Sequence, residues 1–392
     1  MKLALGLFLV VMMMLVPSMV QAEQSDEYVV TVFMAESWTD QGWNMAHKRG
    51  FDELKGLGPI LEEWDSGFVV ELTDLPYDTL RINFVTQCGY GSEIESMMRS
   101  GIAIQQPDMV FGTWFNSYQA VQSLAPEFPE VIFNHCSSYP EMKSSDFSTK
   151  NVSTYFIKQC LSDYIVGVVT GEAGYNRVGF VATIAIPEPI RAVNAFALGL
   201  QAGYNGETEV NAVWLDSWLD VEQEYQASQS LVDAGYSVIR QLPDTPTVSV
   251  VACENGAVAL GYGTNTLPTA PCTLITNEWV WEEYYKECVL AGMNGDWQPH
   301  DWFEPRSNLV VNPNAPPELL EIANAVDTAR VWTGPISGHG WDINGNPYRV
   351  FVPEGEMLTD MDILTMSWFV DGVITSKKPL TPEARLSRFI VD

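Results

Sequence analysis

Short β-type apolar runs alternate, twice over, with stretches whose apolar residues recur at helical spacing, and this pattern constrains the chain more than any other feature. In the first series residues 29–35, 69–72, 108–112 and 131–134 read as strands, and 42–54, 93–104 and 118–124 as helices. Trp43, Ala46, Phe51 and Leu54 make the apolar face of the first helix. The polar stretch 139–150, rich in Ser, Asp and Lys, reads as a crossover. A second series follows, with strands at 178–185, 210–215, 237–240 and 257–262 and helices at 155–170, 191–202, 221–234 and 248–255. Pro187 and Pro189 stand where the 191–202 helix opens, a place that tolerates a missing N–H.

Alternation of this kind builds parallel sheets with helices over both faces, because right-handed crossovers lay each helix back on its sheet. The expectation is an α/β protein of two lobes. Residues 23–142 form lobe 1, 150–272 form lobe 2, and 276–392 return to lobe 1 through a helix at 279–290. Asn344-Gly345 ahead of the extended run 348–352 signals a hairpin. Asp342, Asn344 and Asn346 could open a calcium loop, but Pro347 and Pro353 occupy the positions where that loop needs its Gly and its Glu.

The first 22 residues read separately. Lys2, the apolar run 3–16 and Val20-Gln21-Ala22 have the form of a signal peptide cut after Ala22, which predicts export to the periplasm or the extracellular space. The apolar run is too short to cross about 30 Å of hydrocarbon. The first Cys is residue 88, so no cysteine at the cleavage site can carry a lipid, and no stable membrane insertion is expected. With 50 Asp and Glu against 20 Lys and Arg, the charge of −30 argues against nucleic acid as a partner. The six Cys (88, 136, 160, 253, 272 and 288) allow up to three disulfides or as many as six buried thiols, and their spacing does not choose. None has C-x-x-C spacing and the four His are scattered, so neither a metal site nor a cofactor is expected.

No nucleophile elbow, H-E-x-x-H, phosphate loop or dinucleotide fingerprint occurs, so no enzyme is expected. What stands out is aromatic residues placed just past strand ends, where open α/β sheets bind ligands. These are Trp38 and Trp43, Trp114 and Phe115, and Trp214 and Trp218. They suit either packing between lobes or a flat slot for a planar heteroaromatic, in which stacking contributes about 1 to 3 kcal/mol. Asp244, after the strand at 237–240, can accept hydrogen bonds from ring N–H or amine groups, or cap a helix from Thr247.

Several segments resemble one family. Gly42-Trp43-Asn44, Asn151-Val-Ser-Thr-Tyr155, 163–171, Ile186-Pro-Glu-Pro-Ile-Arg191, Val213-Trp-Leu-Asp-Ser-Trp218, Gly334-Pro335-Ile336 and 366–373 are similar to the basic membrane protein (BMP) family. These are substrate-binding proteins of ABC importers, and the likeness is greatest to the branch that binds purine bases. The resemblance implies a type I periplasmic-binding-protein architecture, two Rossmann-like lobes around a hinge and a central cleft. It further implies that Trp43 and Trp218 clamp a purine base or nucleoside from opposite lobes, that Asp244 reads its edge, and that Phe115 and Asn265 line the same cleft. An ABC permease is the implied partner. The acidic balance, the six Cys and the sequon Asn151-Val-Ser153 also suit a secreted structural or matrix protein that kept the fold without transport. A nucleoside hydrolase would need a clustered-Asp metal loop, which the chain does not show.

Overall fold

In the computed structural model, which describes residues 27–137, 150–342, 344–379 and 389–391, two sheets organise the chain. The expected leader and most of the expected crossover lie outside these residues. The first sheet runs Asp301–Glu304, Val152–Ile157, Ile132–Cys136, Met109–Gly112, Glu27–Phe33, Thr79–Val85, Gly67–Glu71, Ile60–Trp64. Six strands are parallel, and the last two add antiparallel to the edge. The second sheet runs Ser307–Val311, Thr273–Trp279, Val258–Gly263, Val238–Gln241, Arg177–Ala182, Glu209–Trp214, Val373–Ile374, with only Ser307–Val311 antiparallel. Central strands such as Met109–Gly112 and Val238–Gln241 are buried along their whole length. Parallel strands covered by helices on both faces require this.

The lobe boundaries differ from those expected. Val152–Ile157, where a helix was expected to begin, is a strand paired with Ile132–Cys136, and the helix starts at Gln159. All six of its residues are buried, and such a run carries no periodicity to tell strand from helix. Lobe 1 therefore extends to Ile157 instead of ending near 142. Nor does the tail return as a block: only the helix Glu282–Met293 and the strand Asp301–Glu304 rejoin lobe 1. Thr273–Trp279, Ser307–Val311 and Val373–Ile374 belong to the second sheet. These are long-range pairings, which local pattern does not encode.

The chain thus passes between lobes three times, after Ile157, after Trp279 and after Glu304. Aromatic rings crowd these passages. Trp279 and Trp281 stack at 5.4 Å, and Phe156 meets Trp279 edge-on at 5.5 Å. The Arg191 guanidinium lies over Phe156 (5.2 Å) and Phe303 (5.9 Å), joining the first and third passages to lobe 2.

In lobe 2 the helices Gln159–Glu172 and Pro187–Gly203 pack backbone against backbone. A Cβ at Gly199 would lie 2.0 Å from the Tyr164 carbonyl oxygen, and one at Gly167 2.2 Å from that of Phe196. A third, antiparallel sheet of Trp368–Val370, Ile336–Trp341, Pro347–Val352 and Ile390–Val391 packs on Pro187–Gly203. Buried Asn194 joins the two, donating to the Trp368 carbonyl (2.8 Å) and accepting from the Val370 N–H (3.0 Å). Ile336–Trp341 and Pro347–Val352 are the expected hairpin, and Asp342 accepts from the N–H groups of Asn344 (2.9 Å) and Asn346 (2.7 Å).

One disulfide, Cys253–Cys272, closes the connection around Val258–Gly263, while Cys88, Cys136, Cys160 and Cys288 are buried free thiols. The sequon asparagine is a structural tie. Asn151 Nδ2 donates to the carbonyls of Ala125, Phe128 and Val131 at 3.0, 3.0 and 2.8 Å.

Candidate functional site

The C-terminal ends of both parallel sheets face one cavity between the lobes, of about 40 Å³. On the lobe 1 side Trp43, Tyr90, Trp114 and Phe115 line it, and on the lobe 2 side Glu188, Trp218, Asp244 and Tyr262. Strand ends outside a parallel sheet expose backbone and loops to a common crevice, and ligands settle there.

Trp43 is the first residue of the helix Trp43–Asp52. Asp40 fixes that helix start by accepting from the backbone N–H groups of Gly42 (3.1 Å), Asn44 (2.8 Å) and Met45 (3.1 Å), a carboxylate at the positive end of a helix. The indole donates to the Thr113 carbonyl at 2.8 Å and meets His47, Trp279 and Trp281 edge-on at 4.5, 5.1 and 5.7 Å. Its position is therefore set by the hinge aromatics behind it.

Trp218 lies on the loop between the strand Glu209–Trp214 and the helix Val221–Asp233. Its carbonyl accepts the Asp244 N–H at 3.2 Å, so the second indole and the acidic residue form one rigid piece of lobe 2. Asp244 does not cap the next helix: Thr247–Glu254 opens after Pro246 without a side-chain cap. Its carboxyl lines the cavity instead, and burial, with Asp40, Glu224 and Glu188 adding like charge, holds it well above the usual carboxylate range.

Phe115, just past the strand Met109–Gly112, lines the cavity as expected. Asn265 does not. It is exposed on a separate outer groove with Gln41, Met45 and Arg49, and its Oδ1 accepts from the Leu267 N–H at 3.1 Å. Residues 264–269 turn away after Val258–Gly263, a direction that the spacing from that strand does not reveal. Trp38 and Trp214 also face elsewhere, packing edge-on against Phe84 (5.8 Å) and Phe369 (5.9 Å).

Glu188, Tyr90, Thr183, Asn116 and Tyr262 line the cavity without having been singled out as site residues. Glu188 had a legible signal, an acid between two prolines at a helix start past a strand end. Burial pushes its carboxyl up to about 7, the Arg191 charge pulling the other way. Thr183 Oγ1 and Asn116 Oδ1 are buried without a hydrogen-bond partner, two polar atoms on the cavity wall.

The lobes meet around the cavity. A Cβ on Gly42 would lie 1.7 Å from the Asp244 carbonyl oxygen. Thr264 Oγ1 donates to the Gln41 carbonyl, and Arg49 pairs with Glu278 at 3.1 Å and donates to the Trp279 carbonyl at 3.0 Å.

Two α/β lobes, three chain passages and an enclosed cavity at the strand ends define a substrate-binding protein of the type I periplasmic-binding-protein class. Residues 28–298 match the ABC transporter substrate-binding proteins described as PnrA-like (Bmp), and the chain belongs to this family. A purine-binding protein of Brucella abortus is 27% identical over 311 residues, which is 77% of this chain and 85% of that protein. A putative ABC transporter glucose-binding protein of Haloferax volcanii is 27% identical over 253 residues, 62% of this chain and 61% of that protein. The solved structure of an ABC transporter solute-binding protein from Conexibacter woesei shares the fold, with a TM-score of 0.60 and 17% identity over 78% of this chain and 96% of that one. Among the described residues no helix is long and apolar enough to cross a membrane.

Proposed function

We propose that the protein is a non-catalytic, exported receptor that closes its lobes on one purine base or nucleoside and presents it to an ABC permease. The observation that carries the reading is that Trp43 and Trp218, from different lobes, line one cavity together with Asp244. Only the closed form brings both indoles to one ligand, so binding energy and closure are linked. The signal-peptide form of residues 1–22 supports export, and the name of the Brucella relative supports a purine.

Titration with adenine, guanine, hypoxanthine, adenosine, riboflavin and glucose, followed by Trp fluorescence and calorimetry, tests the proposal. A purine is expected to shift emission at micromolar concentration. Response to glucose alone assigns the cavity to a sugar, and silence with every compound favours the alternative of a secreted structural protein that kept the fold.

A further inference from the structure

We infer that the cavity selects a positively charged planar ring, a purine-type cation in preference to the neutral base. The inference rests on the purine reading above and specifies the form of ligand that the site takes.

Charge on the cavity wall is one-sided. Glu188 and Asp244 supply two carboxyl groups from lobe 2, and none of the described residues lining the cavity is Lys or Arg. The two nearby arginines are engaged elsewhere. Arg240 is fully buried in an ion pair with Asp163 at 2.6 Å, and its two terminal nitrogens also donate to Asn277 Oδ1 (2.8 Å) and the Gly261 carbonyl. Arg191 holds its guanidinium over Phe156 and Phe303. Of the other acids whose charge reaches Asp244, Asp40 caps its helix and Glu224 accepts from Thr245.

The unpartnered Asn116 Oδ1 is a third acceptor, and the Thr183 hydroxyl can accept as well. Acceptors beside two carboxyl groups favour a ligand that carries donors and positive charge. Indole faces are electron-rich and attract a cation, the more so when water is excluded. Closure does exclude water, and it leaves Asp244 and Glu188 on a wall where, among the described residues, no Lys or Arg side chain pairs with them. Burial holds both carboxyls above their ordinary range, with Asp40, Glu224 and Glu188 adding like charge at Asp244 and Asp163 at Glu188, a cost that a bound cation reduces.

The test compares 9-methyladenine, which is neutral, with 7,9-dimethyladeninium and 1,9-dimethyladeninium, which carry positive charge and place the extra methyl on opposite edges. Calorimetry at pH 7.5 is expected to show at least one cation binding tenfold or more tighter than the neutral base. In Asp244→Asn the ratio of cation to neutral-base affinity should fall, whatever the change in overall affinity. Near pH 6.5, cation binding should release protons, seen as a heat that depends on the ionisation enthalpy of the buffer. Equal or weaker binding of both cations overturns the inference and leaves the purine reading intact. Silence with all three compounds overturns both readings, unless choline binds, which would keep the preference for cations and discard the purine.

Discussion

The α-carbon of Gly42 on lobe 1 and the carbonyl of Asp244 on lobe 2 approach so closely that no side chain fits between them: a Cβ at Gly42 would stand 1.7 Å from that oxygen. The obstacle is backbone, which cannot rotate aside as a side-chain tip can. Gly42→Ala should therefore hold the lobes apart. We expect ligand affinity to fall at least tenfold, about 1.4 kcal/mol, and small-angle scattering of the saturated variant to stay at the larger radius of the unliganded protein. Normal closure with unchanged affinity would mean that these two groups do not meet in the bound form.

The two indoles should behave differently. Trp218 has its ring on the cavity and its backbone tied to Asp244, so Trp218→Ala is expected to weaken binding roughly tenfold or more with little change in melting temperature. Trp43 also braces the hinge rings and donates to Thr113. Trp43→Ala should lower both affinity and stability, the latter by on the order of 2 kcal/mol. Calorimetry paired with thermal unfolding separates the two effects.

Stability should fall as pH rises. An acid whose folded pKa lies above its unfolded value binds more protons folded than unfolded between the two, and in that window stability drops with rising pH. Burial pushes Glu188 and Glu224 each to about 7, against ordinary values near 4.5. The unliganded protein should thus be most stable near pH 5 and lose on the order of 5 °C in melting temperature by pH 8. Glu188→Gln should flatten that slope, and a profile that rises through this range would contradict the assigned burial.

The cysteines give a chemical count. Under denaturing, non-reducing conditions a thiol reagent should titrate four groups, and six after reduction. Cys253→Ser with Cys272→Ser frees a loop with sequence separation 19 and should cost about 3 kcal/mol by chain entropy. Denaturant unfolding measures it.

The two-lobed α/β architecture could be read from periodicity, and Trp43, Phe115, Trp218 and Asp244, which line the cavity, could be singled out as aromatic or acidic residues just past strand ends. Phe115 and Trp218 were found by that rule. Asn265, which only the family resemblance put in the cleft, turns outward, since the direction of a loop depends on what packs beneath it. The strand Thr79–Val85, which pairs along seven residues with Glu27–Phe33, escaped notice although its apolar positions alternate. Ile60–Trp64 escaped because all five of its residues are exposed and no buried face marks it. Val152–Ile157 and the tail strands are fixed by partners far away in sequence, which is also why the lobe boundaries were misplaced.

The three passages lie side by side, the strand Asp301–Glu304 pairing with Val152–Ile157 on one side and Ser307–Val311 with Thr273–Trp279 on the other. Three parallel leaves fastened at both ends flex easily in one direction and resist swivelling or sliding in every other. Under the proposed function, capture and release would then retrace a single path along that one arc.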